Sequence, residues 1–221
     1  MADLFDELKS RCASDWQAYT QHAFIEQMAN GSLPEASFKH YLLQDYLFLL
    51  QFARAFGLAV FKSQKEDDIR FALTACEAIV NTELKLHISY CETWGISASD
   101  LRDLPESTAN MAYTRYVLER GLAGDLLDLY VALAPCVVGY AETASWAEQL
   151  RATNSSATDS YKSWIDMSVS DDYRGFANEF KSKINQAGES IPPARVAELA
   201  VVFSAATRLE VDFWQMGLDL S

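Results

Sequence analysis

Apolar residues in this chain recur at intervals of three and four, and no window alternates with a period of two between turn signals. The pattern predicts helices and no sheet. A first helix is expected over about 3–19, with Asp3 as its cap and Leu4, Leu8 and Cys12 down one face. A short helix over about 22–30 is stopped by Gly31. Ser32 and Pro34 open a long helix reaching about residue 63, since proline is tolerated in a first turn. Another runs over about 67–94 and ends at Gly95. Ser97 caps a single turn, and Ser107 caps a helix over about 108–122. Gly124 and Asp125 begin a helix that carries Pro135, whose missing N–H predicts a kink. The polar stretch 152–160 reads as a loop. The last helices are expected over about 158–168, 171–187 and 193–219, the final one opened by Pro192 and Pro193.

The expected architecture is therefore all-α, a multi-helix bundle in one domain over 1–221. A chain of 221 residues can bury roughly 70–75% of its unfolded surface as one domain, so its core needs no staples. With 50% hydrophobic and 22% charged residues, disorder and fibrous repeats are excluded.

Charge narrows the partners. There are 18 basic and 31 acidic residues, a formal net charge of −13, which disfavours nucleic acid and anionic membrane surfaces. The apolar run 41–61 is interrupted by Gln44, Asp45, Gln51 and Arg54, so it does not read as a membrane span. The opening MADLFDELKS is acidic where a secretory signal is basic, and a cytoplasmic location is expected. The cysteines at 12, 76, 91 and 136 form no CxxC pair and read as free thiols.

Sites in helical bundles are built from side chains that project inward from facing helices, so polar groups stranded on apolar faces mark the candidates. Asp45 stands inside Tyr41-Leu-Leu-Gln-Asp-Tyr-Leu-Phe-Leu-Leu50 and requires a partner, either an arginine, an exposed face or a ligand. Cys136 follows the kinking proline in Ala134-Pro-Cys-Val-Val-Gly-Tyr140, with Tyr140 one turn on. It is either a small buried hydrophobe or a nucleophile beside loosened backbone. Glu210, in Arg208-Leu-Glu-Val-Asp-Phe-Trp214, shares a face with Trp214; it either pairs with Arg208 or Arg195 or acts as a general acid/base. Tyr113 is a further candidate among core tyrosines. Glu83 and His87 are four apart, but two ligands make no metal site, and no Glu-x-x-His is present; the pair reads as a carboxylate orienting an imidazole. No metal or cofactor is expected. No glycine-rich phosphate loop, Gly-x-Ser-x-Gly or HExxH occurs.

Four stretches taken together, Leu43-Gln-Asp-Tyr-Leu-Phe-Leu49, Leu133-Ala-Pro-Cys136, Tyr161-x-x-Trp-Ile165 and Leu209-Glu-Val-Asp-Phe-Trp214, resemble the TenA, or thiaminase II, family, and specifically its cysteine-containing branch. The resemblance implies a haem-oxygenase-like fold without haem, a homotetramer, and a pocket for a 4-amino-2-methylpyrimidine ring. It implies hydrolysis of 4-amino-5-aminomethyl-2-methylpyrimidine, and in many members of thiamin, in thiamin salvage. Carried over, Cys136 is the nucleophile, Glu210 the general acid/base, and Asp45 the group that holds the aminopyrimidine. Tyr113 lies near the thiol and Tyr140 beside the ring. Two positions depart from the family pattern: Phe48 and Met167 stand where tyrosines are usual. A donor lost from a buried site weakens recognition by roughly 1–3 kcal/mol. Three other readings compete: a small-ligand binding protein without hydrolysis, a haem-degrading enzyme with His22 as a candidate axial ligand, and a cofactor-free oxygenase of the same broad fold.

Overall fold

The computed structural model describes residues 3–153 and 161–221. Helices dominate, and no strand occurs among the described residues. Part of the expected loop over 152–160, and the expected helix start at 158, lie outside them. The helices are α1 (Leu4–Arg11), α2 (Ala13–Thr20), α3 (Ala23–Asn30), α4 (Glu35–Lys62), α5 (Glu66–Ala78), α6 (Leu84–Glu92), α7 (Ala98–Arg102), α8 (Thr108–Ala123), α9 (Leu126–Ala134), α10 (Tyr140–Thr153), α11 (Lys162–Ser168), α12 (Asp171–Gly188) and α13 (Pro193–Asp219). The long α4 and α13 pack on one another and on α8, and form the centre of the bundle.

Most of the punctuation follows from the residues. Gly31 (φ 79°) and Gly95 (φ 72°) take the left-handed conformation that ends a helix without Cβ strain. Ser97 and Asp125 each close a reciprocal capping box with the acid three residues on. One expected helix divides. Around Cys12 (φ −123°, ψ 33°) the chain breaks, separating α1 from α2. The break serves the core: Leu4, Phe5 and Leu8 are buried from α1, while Trp16 from α2 stacks on Phe203 with centroids 5.3 Å apart. Asp3 occupies the N-cap position, but its side chain makes no capping bond.

The expected kink at Pro135 takes a specific form. Residues Pro135–Gly139 make a π-helical turn that joins α9 and α10 into one continuous helix. Proline supplies no N–H, which loosens the hydrogen-bond ladder, and π turns of this kind are frequent at functional sites. The carbonyls there find tyrosines instead. Tyr19 Oη donates to Pro135 O at 3.1 Å, and Tyr173 Oη lies 3.4 and 3.3 Å from the carbonyls of Cys136 and Val137. Another π turn, Ile79–Glu83, the first of the two in chain order, joins α5 to α6.

The helix over Leu126–Thr153 is long and apolar enough to cross a membrane by composition (mean hydropathy 1.3), more so than the 41–61 run singled out from the sequence. In the fold, 78% of that window is buried, so its apolarity is that of a core helix.

Gly139 makes the π turn fit. A Cβ there would lie 2.3 Å from Cε1 of Tyr19, itself fully buried and packed on Trp16 and Trp214. Gly139→Ala is expected to destabilise the protein by about 1–3 kcal/mol, seen as a lower midpoint in urea. An unchanged midpoint would show that Tyr19 moves freely.

Candidate functional site

The seven expected residues come from six different elements. Asp45 and Phe48 come from α4, Tyr113 from α8, Cys136 from the second π turn, Tyr140 from the start of α10, Met167 from α11 and Glu210 from α13. The structure shows which neighbours these side chains meet.

Asp45 is buried, and among the described residues it makes no ion pair with an arginine. Its Oδ2 lies 2.6 Å from Nε2 of His87, while Nδ1 of His87 lies 2.9 Å from the main-chain carbonyl of Glu83. Arg54 instead bonds Gln51 at 2.6 Å. The expectation that the Glu83 carboxylate orients His87 is thus corrected: the aspartate does so, and Glu83 contributes its backbone. Burial lowers the proton affinity of His87, but the hydrogen bond and charge of Asp45 outweigh it, so its pKa is raised.

Glu210 is 1% exposed and makes no ion pair among the described residues. Arg208 bonds Ser204 at 2.9 Å, and Arg195 bonds Asp128 at 2.5 Å, so both proposed partners are engaged elsewhere. Instead, Tyr113 Oη donates to Glu210 Oε1 at 2.7 Å. Burial is the main influence on this carboxyl; despite the Tyr113 bond, and with the added effect of Asp45, it is pushed up to about 8. Cys136 is buried as well. Burial first, then the carboxyls of Glu210, Glu83 and Asp45, hold its thiol well above the ordinary range. Three carboxyls thus bear electrostatically on one thiol.

An aromatic wall surrounds them. Tyr140 lies 5.2 Å from Trp214 and 5.9 Å from Trp164, centroid to centroid. Phe48 packs on Tyr113 at 5.3 Å and on Phe213 at 5.6 Å. Two cavities flank this wall. One, of about 560 Å³, is lined by Phe38, His87, Tyr90, Trp164 and Met167 among others, and reaches Asp45 through His87. The other, of about 470 Å³, is lined by Glu83, Met167, Tyr173 and Phe176 among others, and reaches the Cys136 backbone through Tyr173. Met167 and Leu86 border both.

Sequence reasoning passed over Tyr173. It begins the inward stripe Tyr173, Phe176, Ala177, Phe180 and Ile184 of α12, and only that helical spacing marks it. His22, weighed as an axial ligand, caps α3: its Nδ1 accepts from Phe24 N at 3.2 Å. No cluster of three metal-ligating side chains occurs among the described residues.

The family model described as the TENA/THI-4/PQQC family matches residues 10–220. The chain belongs to this family. A Haemophilus influenzae protein described as uncharacterized is 39% identical over 99% of this chain and 100% of its own. An aminopyrimidine aminohydrolase of Halalkalibacterium halodurans is 30% identical over 92% of this chain and 90% of its own. The crystal structure of a TenA family transcription regulator from Silicibacter sp. TM1040 superposes with a TM-score of 0.89 at 42% identity, covering 97% of this chain and 96% of that one. A Shewanella denitrificans domain with a heme oxygenase-like fold superposes at 0.72 with 14% identity, covering 98% of this chain and 92% of that one, which bears on the fold alone. The TenA chain is thus an all-α member of the haem-oxygenase-like fold.

Proposed function

We propose that this TenA protein is an aminopyrimidine aminohydrolase, or thiaminase II, of the cysteine-containing branch. It hydrolyses 4-amino-5-aminomethyl-2-methylpyrimidine, and thiamin where the leaving group fits, to the hydroxymethylpyrimidine. The observation that carries this reading is the convergence of Cys136, the Glu210–Tyr113 pair and the Asp45–His87 pair in one buried cluster. The name of the Halalkalibacterium halodurans relative supports it.

In the proposed reaction, Asp45 hydrogen-bonds the ring nitrogen and the 4-amino group, and His87 fixes the carboxylate's direction. This two-point contact favours a protonated ring. A ring nitrogen held by Asp45 offsets the burial and the carboxyls that keep the thiol protonated in the free protein: the thiol passes its proton to that nitrogen as the thiolate forms, and regains it when the C–S bond breaks. The sulfur adds to the ring carbon next to the one bearing the substituent. The ring electrons then expel the amine, and Glu210 supplies its proton. Water adds to the exocyclic carbon, giving up a proton to Glu210, and the C–S bond breaks. The net change is one water consumed and one amine released. The side chains and water suffice for every step.

Asp45→Asn is expected to weaken binding of the hydroxymethylpyrimidine tenfold or more by calorimetry, because the amide replaces one acceptor oxygen with an NH2 donor. Unchanged affinity would remove Asp45 from the ring site.

A binding protein without hydrolysis is the second reading. Phe48 and Met167 favour it, since each presents no hydroxyl to a ligand. Ammonia release from the aminopyrimidine separates the two. We further propose one domain over 1–221, a cytoplasmic location and a homotetramer that acts on a free pyrimidine, with neither nucleic acid nor membrane as partner. Phe61 (82% exposed) and Leu122 (70% exposed) support association: they stand at the neighbouring ends of α4 and α8, where Lys62 Nζ bonds Gly124 O at 2.7 Å.

A further inference from the structure

The 470 Å³ cavity is larger than the reaction requires of it. It lies between α5 with the first π turn on one side and α11 with α12 on the other, and its walls are mostly apolar: Phe52, Ile79, Leu86, Met167 and Phe176. An ammonia-sized leaving group occupies roughly 30 Å³, about the share of one water in the liquid. The space therefore suits a departing group with a body as large as a ring. Its lining holds two carboxyls, Glu83 and Asp172, and no lysine, arginine or histidine. Asp172 is exposed on the first turn of α12, whereas Glu83 is half-buried.

Glu83 is held in register with the rest of the site. The first π turn ends at this residue, and its main-chain carbonyl meets His87 at 2.9 Å; His87 in turn meets Asp45 at 2.6 Å. Among the described residues, the Glu83 carboxyl makes no hydrogen bond or ion pair. Tyr173, on the same cavity, reaches the carbonyls of Cys136 and Val137. The cavity thus joins the nucleophile's turn to an unpartnered acid. Burial, and then the charge of Asp45, push Glu83 up to about 7, so it is substantially ionised in mildly alkaline solution.

We infer that Glu83 is a specificity-determining residue for the leaving group: the cavity receives the part of the substrate that departs, and Glu83 pairs with its positive charge. The protein then prefers substrates whose leaving group is a cationic amine with an apolar body. This rests on the aminopyrimidine reading above. It also accounts for the division of the acids, with Asp45 on the ring, Glu210 on the transferred proton and Glu83 on the charge of the group that leaves.

The test uses the full chain carrying Cys136→Ala, so that nothing turns over, with and without Glu83→Gln, a near-isosteric change. Three ligands are titrated by calorimetry at pH 8: the 5-aminomethyl pyrimidine, its N-benzyl derivative and the neutral 5-hydroxymethyl compound. The expected result is that Glu83→Gln weakens both amines tenfold or more and the alcohol less than twofold, with the N-benzyl amine binding at least as tightly as the parent amine. Equal losses for all three, no loss for the amines, or rejection of the benzyl group would overturn the inference. If none of the three binds the Cys136→Ala protein, the aminopyrimidine reading itself fails, and this one with it.

Discussion

Cys136→Ala is expected to lower ammonia release from 4-amino-5-aminomethyl-2-methylpyrimidine by roughly 10³-fold or more, while the hydroxymethylpyrimidine still binds within about threefold of the parent affinity. The split follows from the geometry. In the proposed complex the ring is held by Asp45 and the aromatic wall of Tyr140, Phe48 and Trp214, whose own contacts do not involve the sulfur. The bond-making step depends on it alone. Cys136→Ser should fall nearly as far, because a hydroxyl in so acidic a cluster is harder still to deprotonate than the thiol, whose own pKa is already raised by burial and by Glu210, Glu83 and Asp45. Circular dichroism and the urea midpoint report whether the variants remain folded. Undiminished ammonia release by the alanine variant would exclude a covalent route through this residue.

Glu210→Gln should have the second largest effect, in two opposite directions. Activity is expected to fall by about 10²–10⁴-fold, the usual scale for removing a general acid/base. Stability is expected to rise. Glutamine keeps an acceptor for the Tyr113 hydroxyl, so the 2.7 Å contact has a substitute, while a carboxyl that burial penalises is gone. The sign follows from linkage. The folded protein holds the Glu210 proton up to about pH 8 against an ordinary value of 4.5, so its contribution is fully present below about 4.5 and is lost as pH rises toward 8. The variant has no such loss. Its advantage in Tm should be small near pH 5 and reach roughly 5 °C or more by pH 8.5. A variant that is less stable at both pH values would mean that Glu210 is held by interactions other than that single tyrosine bond.

Much of this molecule was legible in its sequence, and the misses share a cause. Helix existence followed from the three-and-four spacing, and several ends from Gly31, Gly95, Ser97, Ser107 and Asp125, because those signals act within a turn or two of themselves. The break at Cys12 carried no such local mark. It arises because Phe5 must pack edge to face with Trp16 and with Phe203 while Trp16 stacks on Phe203, on a helix nearly two hundred residues away. The proline announced a disturbance at Pro135, but its form as a π turn depends on Tyr19 and Tyr173, which arrive from distant helices to satisfy the freed carbonyls. Asp45, Cys136 and Glu210 stood out because each is polar or reactive in apolar company. Which partner each would meet was not legible: Asp45 found His87 and Glu210 found Tyr113, across forty or more residues. The resemblance to TenA proteins supplied roles for these residues that spacing alone left undecided, and the family match over 10–220 gave that resemblance its footing.

The two π turns make one further point about how the fold builds chemistry. Cys136 stands inside the turn Pro135–Gly139, and Glu83 closes the turn Ile79–Glu83. An extra residue in a helical turn re-aims the side chains around it without ending the helix. Both long helices thereby stay packed in the core while one residue on each is turned toward the site.

The most direct test of the central claim is to incubate the wild-type protein with the 5-aminomethyl pyrimidine in water enriched in ¹⁸O and to follow ammonia and the pyrimidine product by mass spectrometry. The account predicts one ammonia per product and one heavy oxygen in its hydroxymethyl group. A ligand that binds but returns unchanged, with no ammonia and no label, would contradict it.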